Sequence, residues 1–187
     1  HKLNLITDYK KVKLVPFGEF LPFEKIISRV GLRSLTNNYQ SFSSGESRKI
    51  LFINEGNFNL KILPLICYEI IYSGNIFNES KFNFIINISE DGWFGNSIGP
   101  HQHFTHSVFR AIESGKYLIR SANNGISAII NPTGLIEKKI EFSHSGYIDF
   151  YETRVFNETV FSKYGNKMFL TIILLYIFLI FSFNRIS

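Results

Sequence analysis

The feature that most constrains this chain is an apolar run at residues 60–66, which ends at Cys67, the only cysteine among 187 residues. Short runs of apolar and β-branched residues followed by a polar break are typical of buried strands. The sheet would hold the residue at the end of such a strand and point it into the crevice beyond. Cys67 therefore has two interpretations, a nucleophile at a strand end or a buried core thiol. A single cysteine excludes an internal disulfide framework.

Strand and helix patterns alternate along the rest of the chain and indicate a layered α/β domain. Residues 50–53 and 58–66 predict a hairpin that leads into Cys67, and residues 82–88 predict a further strand. Pro100 fits the first turn of a helix that runs to about Ser114. Two strands are then predicted in residues 117–134. A hydrophobic content of 45% is typical of a globular body.

The C-terminal end carries an uncharged apolar run, Met168–Phe183, between Lys167 and Arg185. Its sixteen residues fall a little short of the roughly 20 that a membrane helix needs. Long flanking side chains that reach the interface would make a span feasible in a thin bilayer. We expect a catalytic domain at residues 1–162, and a transmembrane helix with a short tail at residues 163–187. The alternative is a buried C-terminal helix.

Several polar residues have a structural interpretation beside a functional one. Taken singly, Lys11 would be a surface lysine and Glu19 a loop acid, on either side of the connector around Pro16. His103 and His106 could share a helix face with a metal, but the chain has no HExxH motif and no evident fourth ligand, so no metal is predicted. The formal net charge of +5 has no dense basic tract. It is compatible with an anionic membrane surface and does not indicate nucleic-acid binding.

Five motifs, in order and followed by the apolar end, carry a resemblance: YKKVKLVPFGEFLP, PLICYEI, NISEDGWFGNSIGPHQH, RAIESGKYLIRSANNGISAIINPTG and MFLTIILLYIFLIFSF. Together they resemble the C-terminal part of the apolipoprotein N-acyltransferase family. That family is a membrane-embedded branch of the nitrilase, or carbon–nitrogen hydrolase, superfamily. The resemblance covers essentially residues 9–183.

The resemblance implies a nitrilase-like four-layer αββα sandwich, incomplete at its N-terminus, with a Glu–Lys–Cys triad. By motif, Cys67 would be the nucleophile and Lys11 the catalytic lysine. Further positions on which the family depends are matched by Glu19, Tyr68 and Glu69. The triad glutamate would lie upstream of these residues, and the 187 residues alone would be inactive.

The implied reaction moves an acyl chain from a phospholipid, through a cysteine thioester, to the amine of diacylglyceryl-cysteine at a lipoprotein N-terminus. No cofactor is implied, and the location would be a bacterial inner membrane with the catalytic domain facing the periplasm. Trp93 and Phe94 would either line the lipid cleft or fill the core. Arg120 would likewise either stabilise a turn or form part of the site. Two departures from the family, Glu90 and His101, would alter the cleft.

Two other functions stay open at this stage. A nitrilase-type amidase would act on a small amide, although a soluble amidase has no need of the apolar end. A catalytically dead, membrane-anchored remnant would also explain the missing triad acid.

Overall fold

The computed structural model describes residues 5–23, 41–55, 58–74, 82–151, 154 and 156–184. Their main element is a six-stranded sheet in which spatial order follows chain order. The strands are β1 Leu51–Glu55, β2 Phe58–Ile66, β3 Phe84–Glu90, β4 Tyr117–Asn123, β5 Ser127–Ile130 and β6 Ile136–Ile140. The predicted hairpin, the cysteine strand and the next three strands are confirmed. Only β6 was not expected.

Strand direction determines where the residues that follow β2 and β3 lie. The central strands β2, β3 and β4 run parallel, and the remaining neighbours pair antiparallel. Cys67 directly follows β2 and Asp91 directly follows β3. Because parallel strands deliver their carboxyl ends to one edge of a sheet, both residues reach the same edge.

The core lies between the sheet and helix α1, Gly99–Ser114, which has Pro100 in its first turn as predicted. The helix ends where Gly115 adopts a φ of 65°, a left-handed conformation that glycine enters without a Cβ clash. Alternate residues of β2 face this core, and each large apolar side chain there contributes about 1.5–3 kcal/mol by leaving water. Core side chains include those of Leu63, Leu65, Ile85, Phe104, Ala111, Leu118 and Ile130.

Two helices end the described chain, α2 at Val160–Tyr164 and α3 at Lys167–Asn184. Within the described residues, no helix combines the length and the apolar character required to cross a membrane. The predicted transmembrane helix at residues 163–187 is therefore not supported. The physical reason is length, since sixteen apolar residues rise about 24 Å against a hydrocarbon thickness of about 30 Å.

The sandwich prediction is borne out only at the level of an α/β fold. A four-layer αββα arrangement needs two sheets, and the described residues form one, covered by α1. The described residues therefore show a mixed α/β fold with one six-stranded sheet.

Candidate active site around Cys67

Cys67 lies at the turn between β2 and a short 3-10 helix, Cys67–Ile71. Its φ is 50°, in the left-handed region that residues with a Cβ rarely adopt. The residue is half-buried rather than sealed in the core. A strained residue at a strand end, open to a cavity, matches a nucleophile better than a core thiol.

The cavity beside Cys67 has a volume of about 360 Å³ and a mainly apolar lining. Trp93 and Phe94 line it and are 76% and 41% exposed, so neither is a core aromatic. Tyr68 also lines the pocket and packs edge-on against Tyr72, with ring centroids 5.6 Å apart. The volume lies within the range of about 300–1,000 Å³ typical of small-molecule sites.

Lys11 and Glu19 form an ion pair at the wall of this pocket. The Lys11 ammonium donates to both Glu19 carboxylate oxygens, at 2.6 and 2.7 Å. The two side chains are only 12% and 22% exposed, and the Val15 amide donates to the same carboxylate at 2.9 Å. Glu19 and Cys67 line the same cavity, so the ion pair borders the cavity into which Cys67 opens.

Glu69 is fully buried and binds the cysteine turn to the Lys11 segment. Its carboxylate accepts hydrogen bonds from the Ile66 amide at 2.9 Å and from the Val12 and Lys13 amides at 2.9 and 3.1 Å. The Tyr9 hydroxyl donates to both oxygens at 3.0 Å. Burial raises the pKa of Tyr9 well above its ordinary value, and the Glu69 charge raises it further. Tyr9 therefore remains a neutral donor.

A second buried polar group, which the sequence did not predict as a unit, lies behind Cys67. Asp91 accepts from Arg120 at 2.6 Å and from Ser89 at 2.7 Å, and His103 Nδ1 lies 2.8 Å from it. Burial alone would raise the pKa of Asp91, but the His103 hydrogen bond and the Arg120 charge outweigh burial and lower it. Asp91 is thus a carboxylate. Arg120 belongs to the site architecture rather than to a turn.

The residues that depart from the family pattern lie at different places. Glu90 lines the pocket, where it accepts from the Gly92 amide at 2.8 Å and from the Asn123 side chain at 2.5 Å. His101 is exposed on α1, with its ring 6.3 Å from that of Phe142. Only Glu90 is therefore in a position to alter the cavity.

His103 and His106 of α1 have different surroundings. Among the residues that the structure describes, no group of three or more His, Cys, Asp and Glu side chains could hold a metal ion. His103 is engaged with Asp91, and His106 lines the pocket. Burial lowers the pKa of His106 below its ordinary value, and the Arg110 charge lowers it further.

The α/β domain and its strand-end Cys67 agree with a match of the sequence to a known family. The sequence profile of the carbon–nitrogen hydrolase family matches residues 1–148, and the chain belongs to that family.

Relatives of known name match the chain at higher resolution than the family. The chain is 40% identical over 173 residues to an apolipoprotein N-acyltransferase of Rickettsia prowazekii, covering 91% of this chain and 34% of the relative. It is 42% identical over 147 residues to that of Rhizobium leguminosarum bv. trifolii, covering 78% of this chain and 27% of the relative. The chain thus spans about a third of the length of the relatives it matches.

A solved structure also resembles the fold. The carbon–nitrogen hydrolase superfamily protein XC1258 of Xanthomonas campestris superposes with a TM-score of 0.44 at 18% identity. The match covers 63% of this chain and 46% of XC1258.

Proposed function

We propose that this chain carries catalytic machinery of a phospholipid:apolipoprotein N-acyltransferase. The observation that carries the proposal is the half-buried, conformationally strained Cys67 at the wall of an apolar cavity. Relatives about 40% identical to this chain, which are named apolipoprotein N-acyltransferases, support the same substrate class.

In the first step, Cys67 Sγ attacks the sn-1 ester carbonyl of a phospholipid. A carbon–sulfur bond forms, the ester carbon–oxygen bond breaks, and the thiol proton passes to the departing lysophospholipid oxygen. A thioester acyl-enzyme remains. The apolar lining contributed by Trp93 and Phe94 suits the acyl chain, because their exposed rings would lose water against it.

In this proposal Lys11 acts on the carbonyl oxygen of the lipid. Its ammonium stabilises the negative charge that develops there. Glu19 limits where that ammonium can point, because both of its oxygens accept from it. Glu69 acts through the backbone by binding the amides of the lysine segment and of Ile66 together, and Tyr68 forms part of the pocket wall.

In the second step, the α-amine of diacylglyceryl-cysteine attacks the thioester carbonyl. A carbon–nitrogen bond forms, the carbon–sulfur bond breaks, and an amine proton returns to the sulfur. The product is an N-acylated lipoprotein and free Cys67, which completes a ping-pong sequence. We propose that the general base is a glutamate outside these 187 residues and that a second sheet completes the four-layer sandwich.

The proposed location is the periplasmic face of a bacterial inner membrane, with residues 1–162 as the catalytic part and residues 163–187 as a separate apolar end. The side chains of α3 support a membrane location. Phe169, Leu174 and Phe178 are 64%, 67% and 66% exposed, although they are large and apolar. Contact with lipid would remove this surface from water.

Intact-mass analysis of the complete protein after incubation with phospholipid tests the proposal. We expect a mass increase of one acyl chain that hydroxylamine removes and that is absent from Cys67→Ala. Adding a diacylglyceryl-cysteine peptide should discharge the adduct and acylate the peptide.

Two results would count against the proposal. A folded sample that gains no adduct would refute the acyl-enzyme. Release of ammonia from small amides, without transfer from phospholipid, would favour the amidase instead.

A further inference from the structure

His103 lies between the buried Asp91 and the backbone of Cys67, and each of its ring nitrogens faces an oxygen. Its Nδ1 is 2.8 Å from Asp91 Oδ1, and its Nε2 is 3.3 Å from the Cys67 carbonyl oxygen. The Cys67 carbonyl oxygen only accepts, so the contact with Nε2 requires a proton on that nitrogen. Nδ1 lies between Asp91 Oδ1 and Arg120 Nη2, which is 3.2 Å from it. The residue is only 4% exposed, and solvent cannot replace either bond freely.

The ring has little freedom to turn away from Cys67. Asp91 is fixed by Arg120 and Ser89, and the side chains of Asp91 and Arg120 are both 0% exposed. Arg120 is itself held against Asn87, its neighbour across β3 and β4, to whose side chain it donates. The sheet therefore sets the orientation of His103 through four buried polar side chains, those of Asn87, Ser89, Asp91 and Arg120.

The backbone of Cys67 has a strained conformation that a fixed hydrogen-bond donor would stabilise. Its φ of 50° is disfavoured for any residue with a Cβ, and an unrestrained turn would relax from it. Relaxation would rotate the carbonyl and the side chain together, since both are attached to the same Cα. A donor fixed opposite the carbonyl oxygen opposes that rotation.

We propose that His103 is the positioning residue of the nucleophile: its Nε2–H binds the Cys67 carbonyl and keeps the left-handed turn that directs the thiol into the pocket. Asp91 and Arg120 support the ring. The effect of His103 on catalysis rests on the proposed acyl transfer. Its effect on the conformation of the cysteine turn does not.

Two substitutions separate the two hydrogen bonds of the ring. Glutamine carries its amide nitrogen three bonds from Cβ, as Nε2 is, and asparagine carries it two bonds from Cβ, as Nδ1 is. His103→Gln thus keeps a donor for Cys67, whereas His103→Asn keeps one for Asp91. His101→Asn, at an exposed position of the same helix, is the matched control.

The first readout is the rate at which iodoacetamide alkylates Cys67 in the complete protein, followed by peptide mass. We expect His103→Asn to slow alkylation about tenfold and His103→Gln to stay within about threefold of the unaltered protein. His101→Asn should have no effect. Equal rates in the two His103 variants, or a slower rate in the glutamine variant, would overturn the inference.

The second readout is the rate constant of thioester formation with phospholipid. It should fall further in the asparagine variant than in the glutamine variant, because both substitutions remove the ring from the pocket lining, whereas only glutamine keeps a donor for Cys67. If the alkylation pattern holds but no thioester forms in any protein, the proposed function fails and the positioning role stands. If thioester forms equally in both variants, the positioning role fails alone.

A measurement on the unaltered protein avoids reliance on folded variants. Ring ¹⁵N chemical shifts should show a proton on His103 Nε2. An unprotonated Nε2 would contradict the bond to Cys67.

Discussion

Replacing Glu69 with glutamine tests whether one buried carboxylate binds the Lys11 segment to the cysteine turn. Glutamine has the same shape but substitutes an NH₂ donor for one acceptor oxygen. If that group replaces Oε2, the Ile66 amide loses its acceptor, while Tyr9 can still accept from the new donor. The amides of Val12 and Lys13 would retain a neutral acceptor in place of a charged one.

The size of the expected loss in unfolding free energy follows from these hydrogen bonds. A buried amide left unpaired costs about 1–3 kcal/mol, and two charge-assisted bonds that become neutral lose roughly 0.5–1 kcal/mol each. Some of this loss is offset because a neutral side chain is easier to bury than a carboxylate. We expect Glu69→Gln to lower the free energy of unfolding by about 2–4 kcal/mol, and the melting temperature by roughly 10 °C.

Urea unfolding followed by circular dichroism measures the loss, and hydrogen exchange locates it. The Val12 and Lys13 amides should exchange faster in the variant, while those in the middle of β3 and β4 change less. Glu141→Gln is the control, because Glu141 is 53% exposed and only pairs with Lys139 at the surface, a contact worth less than about 1 kcal/mol. A Glu69 variant as stable as this control, with unchanged exchange at Val12 and Lys13, would refute the reasoning.

Three further predictions use other parts of the site. Glu19→Gln should lower acyl transfer at least about tenfold, with a melting temperature within a few degrees, because Lys11 loses its ionic partner; full activity would contradict this role. The lowered pKa of Asp91 means that its carboxylate stabilises the fold above its ordinary pKa of 3.8, and that this stability is lost as the pH falls through the lower folded value. Asp91→Asn should therefore lose less stability than the unaltered protein when urea unfolding is repeated from pH 5 down to pH 2. Gly125→Ala would press a Cβ against the Asp91 carboxylate and should cost about 1–3 kcal/mol in the same unfolding assay, whereas Gly146→Ala, whose Cβ has its nearest neighbour at 3.4 Å, should be close to neutral.

Short stretches of sequence were sufficient to predict the elements whose formation depends on neighbouring residues. The apolar run before Cys67 predicted β2, and Pro100 predicted the start of α1, because strand burial and helix initiation depend on neighbouring residues. Strand β6, with the sequence IEKKI, was missed because it is an edge strand with four of its five residues exposed. Its charged residues interrupt the alternation of apolar and polar residues by which a strand is recognised in a sequence.

The polar group behind Cys67 could not be predicted as a unit for a different reason. Asp91, His103 and Arg120 come from the end of β3, from α1 and from β4, and only the parallel register of the sheet brings them together. The sequence did carry one signal for this group, because Asp91 directly follows its strand at the same sheet edge as Cys67. The resemblance directed attention to Lys11, Glu19 and Glu69, which the structure joins in contacts that their sequence spacing alone did not fix.

The agreement between chain order and spatial order in the sheet has a consequence for synthesis. Each strand from β2 onward pairs with the one translated just before it, so the sheet can grow as the chain leaves the ribosome. Tyr9 emerges sixty residues before Glu69, its hydrogen-bond partner. The hydrogen bonds of Glu69 to the Lys11 segment therefore cannot form until the cysteine turn has been translated, and the two segments are joined only when that carboxylate is present.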